Sequence, residues 1–203
     1  MAKKVDKMNY KEKKLLLKKI MQDLKQILSE DRYLHSVSTM EKAKELAKKY
    51  KQDEQIVMLT ALSHDIAKEM TNKEYIKYAK ENNIEIDEIE NIAVRILHGK
   101  IGADIVKKKY GFTKKMQDAI YYHTTGRADM TMLDKIVFLA DKSEDRRRGK
   151  DAQKLRQIIE EKGLDKAILW DIDHNTIPRM IKKQKMIHPN AIFARNDIIA
   201  KLK

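Results

Sequence analysis

Residues 53–68, DEQIVMLTALSHDIAK, decide the fold that this sequence predicts. Asp53 is a suitable helix N-cap, and the run after it is apolar on nearly every side, which is typical of a helix that other elements surround. The stretch ends in the adjacent pair His64-Asp65, followed by Lys68. Burying an imidazole and a carboxylate without partners would cost a large desolvation free energy, so we expect these polar residues to form a functional site.

The composition favours an all-helical fold. The chain has 203 residues with only 6 glycines and 2 prolines, and alternation of β-branched residues is nearly absent. We therefore expect an all-α bundle with the site at its centre. The absence of cysteine excludes disulfides and thiolate metal ligands and fits a cytoplasmic protein. No apolar run reaches the roughly 20 residues of a membrane span, so we expect no membrane partner.

The net charge of +13 lies mainly towards the two ends of the chain. Residues 1–30 carry +5 and residues 142–203 carry +7, whereas residues 31–141 carry only +1. Apolar residues within 11–28 have helical spacing, so we expect a basic amphipathic helical extension over 1–30 and the main domain over 31–203. The basic ends fit a nucleic acid, a polyphosphate substrate or simply a solvated lysine-rich surface, and the charge alone leaves these open.

Six nitrogen and oxygen donors recur beside predicted apolar helices: His35, His64, Asp65, His98, His123 and Asp141. A single histidine on an apolar face is more commonly a hydrogen-bonded core residue, but an ordered series of this length is unusual for a core. Four imidazoles and two carboxylates exceed the ligands of one catalytic metal and suit two. Asp65 is the natural bridge, because a carboxylate has two oxygens. Such ligands accept Fe, Mn, Co or Zn.

Basic residues near these donors are candidates for phosphate binding. Lys68 is expected one helical turn beyond His64, where its ammonium could hold a phosphate or a leaving-group oxygen. Gly99, before Lys100, could let backbone N–H groups approach an anion, although a plain helix break explains a glycine there equally well. Arg146-Arg147-Arg148 could grip phosphate or form a solvated helix end.

Punctuating residues predict where further helices begin and end. Asp87 is expected to open a helix that runs to His98, and Gly111 to close the next one. Pro178 is expected to kink or interrupt a helix near the end of the chain. His174 lies outside the donor series, and its surroundings indicate no special role.

Longer strings around the donors are similar to those of the YqeK-type HD-domain phosphohydrolases over about residues 30–200: RYLHS at 32–36, LSHDIAK at 62–68, HGKIGA at 98–103, AIYYHTTG at 119–126, Ala140-Asp141, IHP at 187–189 and ARN at 194–196. The His-Asp pair alone would be a weak signal, whereas the complete ordered set is specific. The resemblance implies an all-helical HD fold, a di-iron centre and symmetrical hydrolysis of diadenosine tetraphosphate into two ADP.

The resemblance also assigns residues. It implies one iron held by His35, His64, Asp65 and Asp141, and a second held by Asp65, His98 and His123. It implies nucleotide contacts from Ser38, Gly99, Lys100, Ile101, Arg147, His188 and Arg195, with Lys68 near the phosphates. The family string Ala-Asp-x-Ile-Glu-Pro-x-Arg is only partly kept, since Ser143 and Asp145 stand where it has Ile and Pro. The atypical Pro178 is a further departure.

The function predicted from these features is symmetrical hydrolysis of dinucleoside tetraphosphates by a hydroxide on a di-metal centre, with Asp65 and Lys68 as catalytic residues and ADP or GDP as product. Another HD activity, such as a nucleotidase or a guanosine polyphosphate hydrolase, is the first alternative because it would use the same donors. A nucleotide sensor or a nucleic-acid-binding regulator is the second, but 6% aromatic residues and no reader motif argue against nucleic acid. A homodimer, the identity of the metal and the choice between adenine and guanine stay open.

Overall fold

The computed structural model describes residues 3–203, which fold into α-helices without any strand among them, so the all-α prediction is confirmed. The helices, in chain order, are α1 (Tyr10–Ile27), α2 (Glu30–Lys49), α3 (Glu54–Leu62), α4 (Asn72–Glu81), α5 (Glu88–Ile92), α6 (Leu97–Tyr110), α7 (Lys114–Tyr121), α8 (Met132–Ser143), α9 (Lys150–Asp171), α10 (Ile177–Lys182) and α11 (Pro189–Leu202). Within this part of the chain, no helix has the length and apolar content that crossing a bilayer requires.

Helix α3 lies at the centre of the bundle, as its apolar sequence predicts. Val57 and Ala61 pack into one apolar cluster with α8 and α9, whereas Leu59 and Leu62 pack into another with α1, α6 and α7. These four side chains are at most 2% exposed. Burial of one such leucine contributes about 1.5–3 kcal/mol, so contacts on both sides of α3 hold the chain segment that follows it in place.

The central helix is shorter than predicted, because it ends at Leu62 and residues 63–69 form successive turns. Side-chain hydrogen bonds stabilise the turns in place of further helix: Ser63 Oγ donates to the Leu59 carbonyl, and Tyr75 Oη donates to the Ala67 carbonyl. Lys68 therefore does not lie one helical turn beyond His64, and the prediction of that placement was wrong. Because the chain turns after Leu62, the backbone of His64 and Asp65 leaves the direction of α3, which it would keep in a continued helix.

The helix predicted from Asp87 to His98 is also interrupted. The capping box of Asp87 and Glu90 is present, with Glu90 N donating to Asp87 at 2.8 Å. However, α5 ends at Ile92, a 3-10 turn follows over Val94–Ile96, and His98 lies in the first turn of α6. The backbone of Ala93 departs from helical geometry, with ψ at 50°, which allows the change of direction.

Other predicted boundaries agree with the structure. Gly111 closes α6 in the left-handed conformation, with φ at 70°, which glycine adopts without a steric penalty. A π-helical turn over Ile172–Thr176 joins α9 to α10, and Pro178 is the second residue of α10. Helix α1 buries Ile20 and Leu24 completely against the bundle. A domain boundary at residue 30 stays a prediction.

Candidate active site

The six predicted donors lie together in one cluster inside the bundle. They come from separate parts of the fold: His35 on α2, His64-Asp65 in the turns after α3, His98 on α6, His123 just after α7 and Asp141 on α8. Neighbouring imidazole rings lie 4.9–5.3 Å apart in edge-to-face contact. The fold thus brings together residues up to 106 positions apart in the chain. Their role as metal ligands stays a prediction at this point.

Asp65 divides its two carboxylate oxygens between different imidazoles. Oδ2 lies 3.6 Å from His64 Nε2. Oδ1 lies 3.4 Å from Nε2 of both His98 and His123. Asp65 is 2% exposed, so protein groups, namely these imidazoles and the cations of Lys68 and Arg32, surround it. A carboxylate placed in this way can contact two ions at once.

A further group of donors includes Asp141. Its Oδ1 lies 3.0 Å from His35 Nε2 and 3.7 Å from His64 Nε2. The ligand atoms of His35, His64 and Asp141 all lie within 4.8 Å of one another, and so do those of His64, Asp65 and His123. The cluster therefore contains two overlapping groups, each compact enough to hold one metal ion.

Three imidazoles are oriented by hydrogen bonds at Nδ1, the ring nitrogen that faces away from the cluster. The Nδ1 atoms of His64, His98 and His123 each lie 2.7 Å from the carbonyl oxygen of the residue three positions earlier, namely Ala61, Arg95 and Ile120. A carbonyl only accepts, so each Nδ1 carries the hydrogen and each Nε2 directs a lone pair into the cluster. Nε2 of His98 and His123 lie 3.1 Å apart, a contact between lone pairs that a bound cation would relieve.

His35 is held by a carboxylate instead. Its Nδ1 lies 3.1 Å from Glu144 Oε1, and Glu144 Oε2 accepts a hydrogen bond of 2.6 Å from Ser38 Oγ. Glu144 is 2% exposed and lies just after α8, three residues beyond Asp141. Sequence patterns did not single out Glu144, although it matches the glutamate of the family string that follows Asp141.

Metal binding needs neutral imidazoles and ionised carboxylates, and His64, His98 and Asp65 meet this requirement. His35 differs: burial lowers its pKa, but hydrogen bonds with Asp141 and Glu144 outweigh burial and raise that pKa above its usual value. Burial, opposed by Asp65 and Asp141, lowers the pKa of His64 to about 4. Burial and the Lys68 ammonium hold the pKa of His98 well below its usual value. Burial alone would raise the pKa of Asp65, but His64, His123 and Lys68 outweigh it and hold that pKa well below its usual value.

An unpaired acceptor in the cluster fits a bound cation. Nε2 of His64 is buried without a hydrogen-bond partner, and leaving such a group unpaired costs about 1–3 kcal/mol. Lys68 supplies one ammonium, whose Nζ lies 2.8 Å from His98 Nε2 and 3.1 Å from Asp65 Oδ1. The donor set matches the nitrogen and oxygen ligands that divalent transition metals take, so these residues could hold metal ions.

A groove of about 1010 Å³ opens onto the cluster. Asp65, Asp141 and Lys68 line it, together with Arg147, whose Nη2 lies 2.8 Å from Asp141 Oδ1. Arg32 also lines the groove, with Nη1 3.7 Å from Asp65 Oδ2, and no sequence pattern had assigned it a role. Two predicted substrate contacts, Lys68 and Arg147, therefore face the space next to the donors.

The other predicted substrate contacts do not line this groove: Ser38, Gly99, Lys100, Ile101, His188 and Arg195. Ile101 is fully buried in the apolar core. Lys100 Nζ donates to Glu90 Oε2 at 2.6 Å, and Arg195 pairs with Asp173. Their contact with a substrate stays a prediction.

Two of these residues, Gly99 and His188, have structural roles in the fold. A Cβ at Gly99 would lie 2.6 Å from the Tyr121 carbonyl oxygen, so glycine lets α6 approach the end of α7. His188 is the N-cap of α11, with Nδ1 accepting from Asn190 N at 3.2 Å.

The family model described as HD domain matches residues 32–145, which include all six donors. The chain belongs to the HD-domain family. This HD-domain protein is 34% identical to the symmetrical bis(5'-nucleosyl)-tetraphosphatase of Halalkalibacterium halodurans over 91% of this chain and 98% of the relative. It is 29% identical to the Bacillus subtilis protein of the same name, over 87% of this chain and 94% of that one. The resemblance drawn from the motifs is thereby confirmed.

A solved structure agrees with the fold. The HD-domain protein is similar to the crystal structure of a predicted HD superfamily hydrolase involved in NAD metabolism from Clostridium acetobutylicum, with a TM-score of 0.86 and 35% identity. The similarity covers 91% of this chain and 97% of that one, so it extends through most of the helical bundle.

Proposed function

We propose that this HD-domain protein hydrolyses dinucleoside tetraphosphates symmetrically, converting diadenosine tetraphosphate into two ADP. The observation that carries the proposal is the buried Asp65 carboxylate, whose two oxygens face different imidazoles at the end of an open groove. The relatives named symmetrical bis(5'-nucleosyl)-tetraphosphatase support the choice of substrate, since the similarity covers nearly their full length.

Two divalent metal ions, of which iron is our choice and manganese, cobalt and zinc are alternatives, would occupy the donor cluster. His35, His64, Asp65 and Asp141 would hold one ion, and Asp65, His98 and His123 the other. When bound, such ions activate water as a nucleophile and neutralise the charge on phosphoryl oxygens. A cytoplasmic location, expected from the cysteine-free sequence, belongs to the same proposal.

In the reaction, a water molecule loses a proton and its oxygen bonds to one of the two inner phosphorus atoms, while the central P–O–P bond breaks. One ADP carries the new oxygen and the other leaves with the bridging oxygen. Lys68 and Arg147 line the groove beside the donors, so their positive charges can offset the charge that develops on the leaving diphosphate. Arg147 is held towards Asp141 by a 2.8 Å hydrogen bond, which orients its guanidinium without a substrate.

Product analysis tests this proposal directly. Protein loaded anaerobically with Fe(II) is incubated with diadenosine tetraphosphate, and the nucleotides are separated. We expect ADP as the only product, and no turnover by His64→Ala protein that has kept its helical circular dichroism. Formation of ATP and AMP would contradict symmetrical cleavage, and the absence of turnover by the wild-type protein would contradict the hydrolase.

A further inference from the structure

The groove continues beyond the donor cluster to a second, more exposed wall. That wall comes from the π-helical turn over Ile172–Thr176, from α10 and from the residue that follows α10. It includes His174, Arg179, Lys182 and Lys183. None of these side chains was assigned a role by the sequence or by the mechanism above. The groove is thus longer than the space that the donor cluster itself occupies.

The cations of the two parts of the groove differ in their partners. Near the cluster, Lys68 and Arg147 are each paired with a donor carboxylate. In contrast, Arg179, Lys182 and Lys183 form no ion pair with any residue among 3–203. Three like charges within five residues repel one another and create a positive potential. An anion entering the groove would therefore meet three cations that have no carboxylate of residues 3–203 within ion-pair distance, although Asp151 and Asp171 also line the groove.

His174 adds a flat surface to the same wall. Its ring stacks on the indole of Trp170, with centroids 5.2 Å apart and an angle of 11° between the planes. Its Nδ1 lies 3.0 Å from the Trp170 carbonyl oxygen. One face of the imidazole is thus covered, and because the residue is exposed and lines the groove, the remaining face is open to another planar group.

The turn that carries His174 is held firmly. Asp171 is 3% exposed and accepts hydrogen bonds from Asn175 Nδ2 at 3.1 Å and from Thr176 Oγ1 at 2.9 Å. A π-helical turn is rare and is found frequently at functional sites. The stacked pair therefore presents a platform with a fixed position and not a mobile surface side chain.

We propose that this wall is a second nucleotide subsite, in which His174 stacks on the base of one substrate half and Arg179, Lys182 and Lys183 contact the phosphate next to it. The inference rests on the proposed function, because symmetrical cleavage puts the central P–O–P bond at the donors and sends two nucleosides away from it. A site for such a substrate needs two nucleoside subsites, and this wall supplies one beyond the contacts implied by the family resemblance.

Two substrates separate base stacking from charge. Diadenosine tetraphosphate has two nucleosides, whereas adenosine 5'-tetraphosphate has the same phosphate chain with one. We expect His174→Ala to lower kcat/KM for the dinucleotide by about tenfold, which is typical of a lost base stack, while the value for adenosine tetraphosphate stays within about twofold. His174→Phe keeps a flat ring and should restore the preference. Equal losses on both substrates, or no loss, would overturn the stacking role.

The three cations are tested by a matched pair of triple variants. Arg179→Ala/Lys182→Ala/Lys183→Ala should raise KM for diadenosine tetraphosphate about tenfold with little change in kcat, because charge-assisted contacts are lost away from the donors. Lys18→Ala/Lys19→Ala/Lys25→Ala removes the same charge from the exposed surface of α1 and should leave KM unchanged. Equal KM values for the two triple variants would overturn the role of the wall.

A binding measurement with an analogue that cannot be cleaved tests the subsite independently of the proposed reaction. The methylene-bridged analogue of diadenosine tetraphosphate is titrated calorimetrically into each metal-loaded protein. Weaker binding to His174→Ala and to the α10 variant, but not to the α1 variant, supports the subsite even if the wild-type protein fails to release ADP. Unchanged binding to both wall variants rejects the subsite even if the wild-type protein hydrolyses the dinucleotide symmetrically.

Discussion

Three of the four clustered imidazoles are positioned by neighbouring backbone, and the fourth by a distant side chain. His64, His98 and His123 each direct Nδ1 at a carbonyl three residues earlier in the chain. His35 instead directs Nδ1 at Glu144, which is 109 residues away. The orientations of His64, His98 and His123 therefore depend only on the local turn that brings each carbonyl into reach. The orientation of His35 depends on how the segment after α8 packs against α2.

The difference has a chemical consequence. A carboxylate that accepts from an imidazole makes the ring a more basic ligand than a carbonyl does. Glu144 also accepts hydrogen bonds from Ser38 Oγ and from Arg146 N, each at 2.6 Å, which fixes its position. The His35 side of the cluster is thus tied to the segment that also carries Arg147, whereas the His98 and His123 side is held by its own turns.

The largest effect is expected from Asp65→Asn, because it removes the charge that the two sides share. We expect turnover of diadenosine tetraphosphate to fall by about 10³-fold or more, since the charge stabilisation supplied through the metals is worth several kcal/mol. The ratio of iron to protein, measured by plasma mass spectrometry after gel filtration, should fall as well.

Asp134→Asn is the matched control for that variant. Asp134 is equally buried, at 2% exposed, but pairs with Arg127 away from the cluster. Its substitution should lower the melting temperature and leave the iron content unchanged. Full iron content in the Asp65→Asn protein would show that the two groups of donors do not depend on a shared carboxylate.

An intermediate effect is expected from Glu144→Gln, which keeps the shape of the side chain and removes its charge. Metal affinity, measured by competition with a chelator, should weaken by about 10- to 100-fold, as is usual when the partner of a metal-bound histidine is lost. Glu90→Gln is the control, since Glu90 is 1% exposed and bonds Lys100 outside the cluster. Equal affinities in these two variants would mean that His35 does not need the carboxylate.

The same contrast explains what could be predicted from the sequence. The His-Asp pair was recognisable because it follows a helix whose sides are all apolar, a property that residues 54–62 carry locally. The end of that helix at Leu62 was not predictable from periodicity. It depends on Ser63 Oγ bonding the Leu59 carbonyl and on Tyr75 Oη bonding the Ala67 carbonyl, and the second of these needs a later helix to be in place.

Glu144 and the groove wall were not predictable for a related reason. Glu144 lies in a charged stretch with Asp145 and Arg146, a composition typical of a solvated surface. Its carboxylate is buried only because α8 packs on α2 in the folded protein. His174 lies outside the ordered series of donors, and the apolar residues 167–170 that precede it do not by themselves mark a site. Its place in the groove follows from the π-helical turn, a rare geometry with no sequence signature in this chain.

The smallest effect is expected from Ser38→Ala, and it decides between two roles for that residue. The family resemblance implies contact with the nucleotide, whereas the structure shows Ser38 Oγ donating to Glu144 at 2.6 Å and lying outside the groove. If Ser38 acts by positioning Glu144, metal affinity should weaken by about 2- to 10-fold, the usual range for one hydrogen bond. KM for diadenosine tetraphosphate at saturating metal should then stay unchanged. A raised KM with unchanged metal affinity would instead show that Ser38 contacts the nucleotide. Only in that case would the effects of Ser38→Ala and Glu144→Gln add in the double variant.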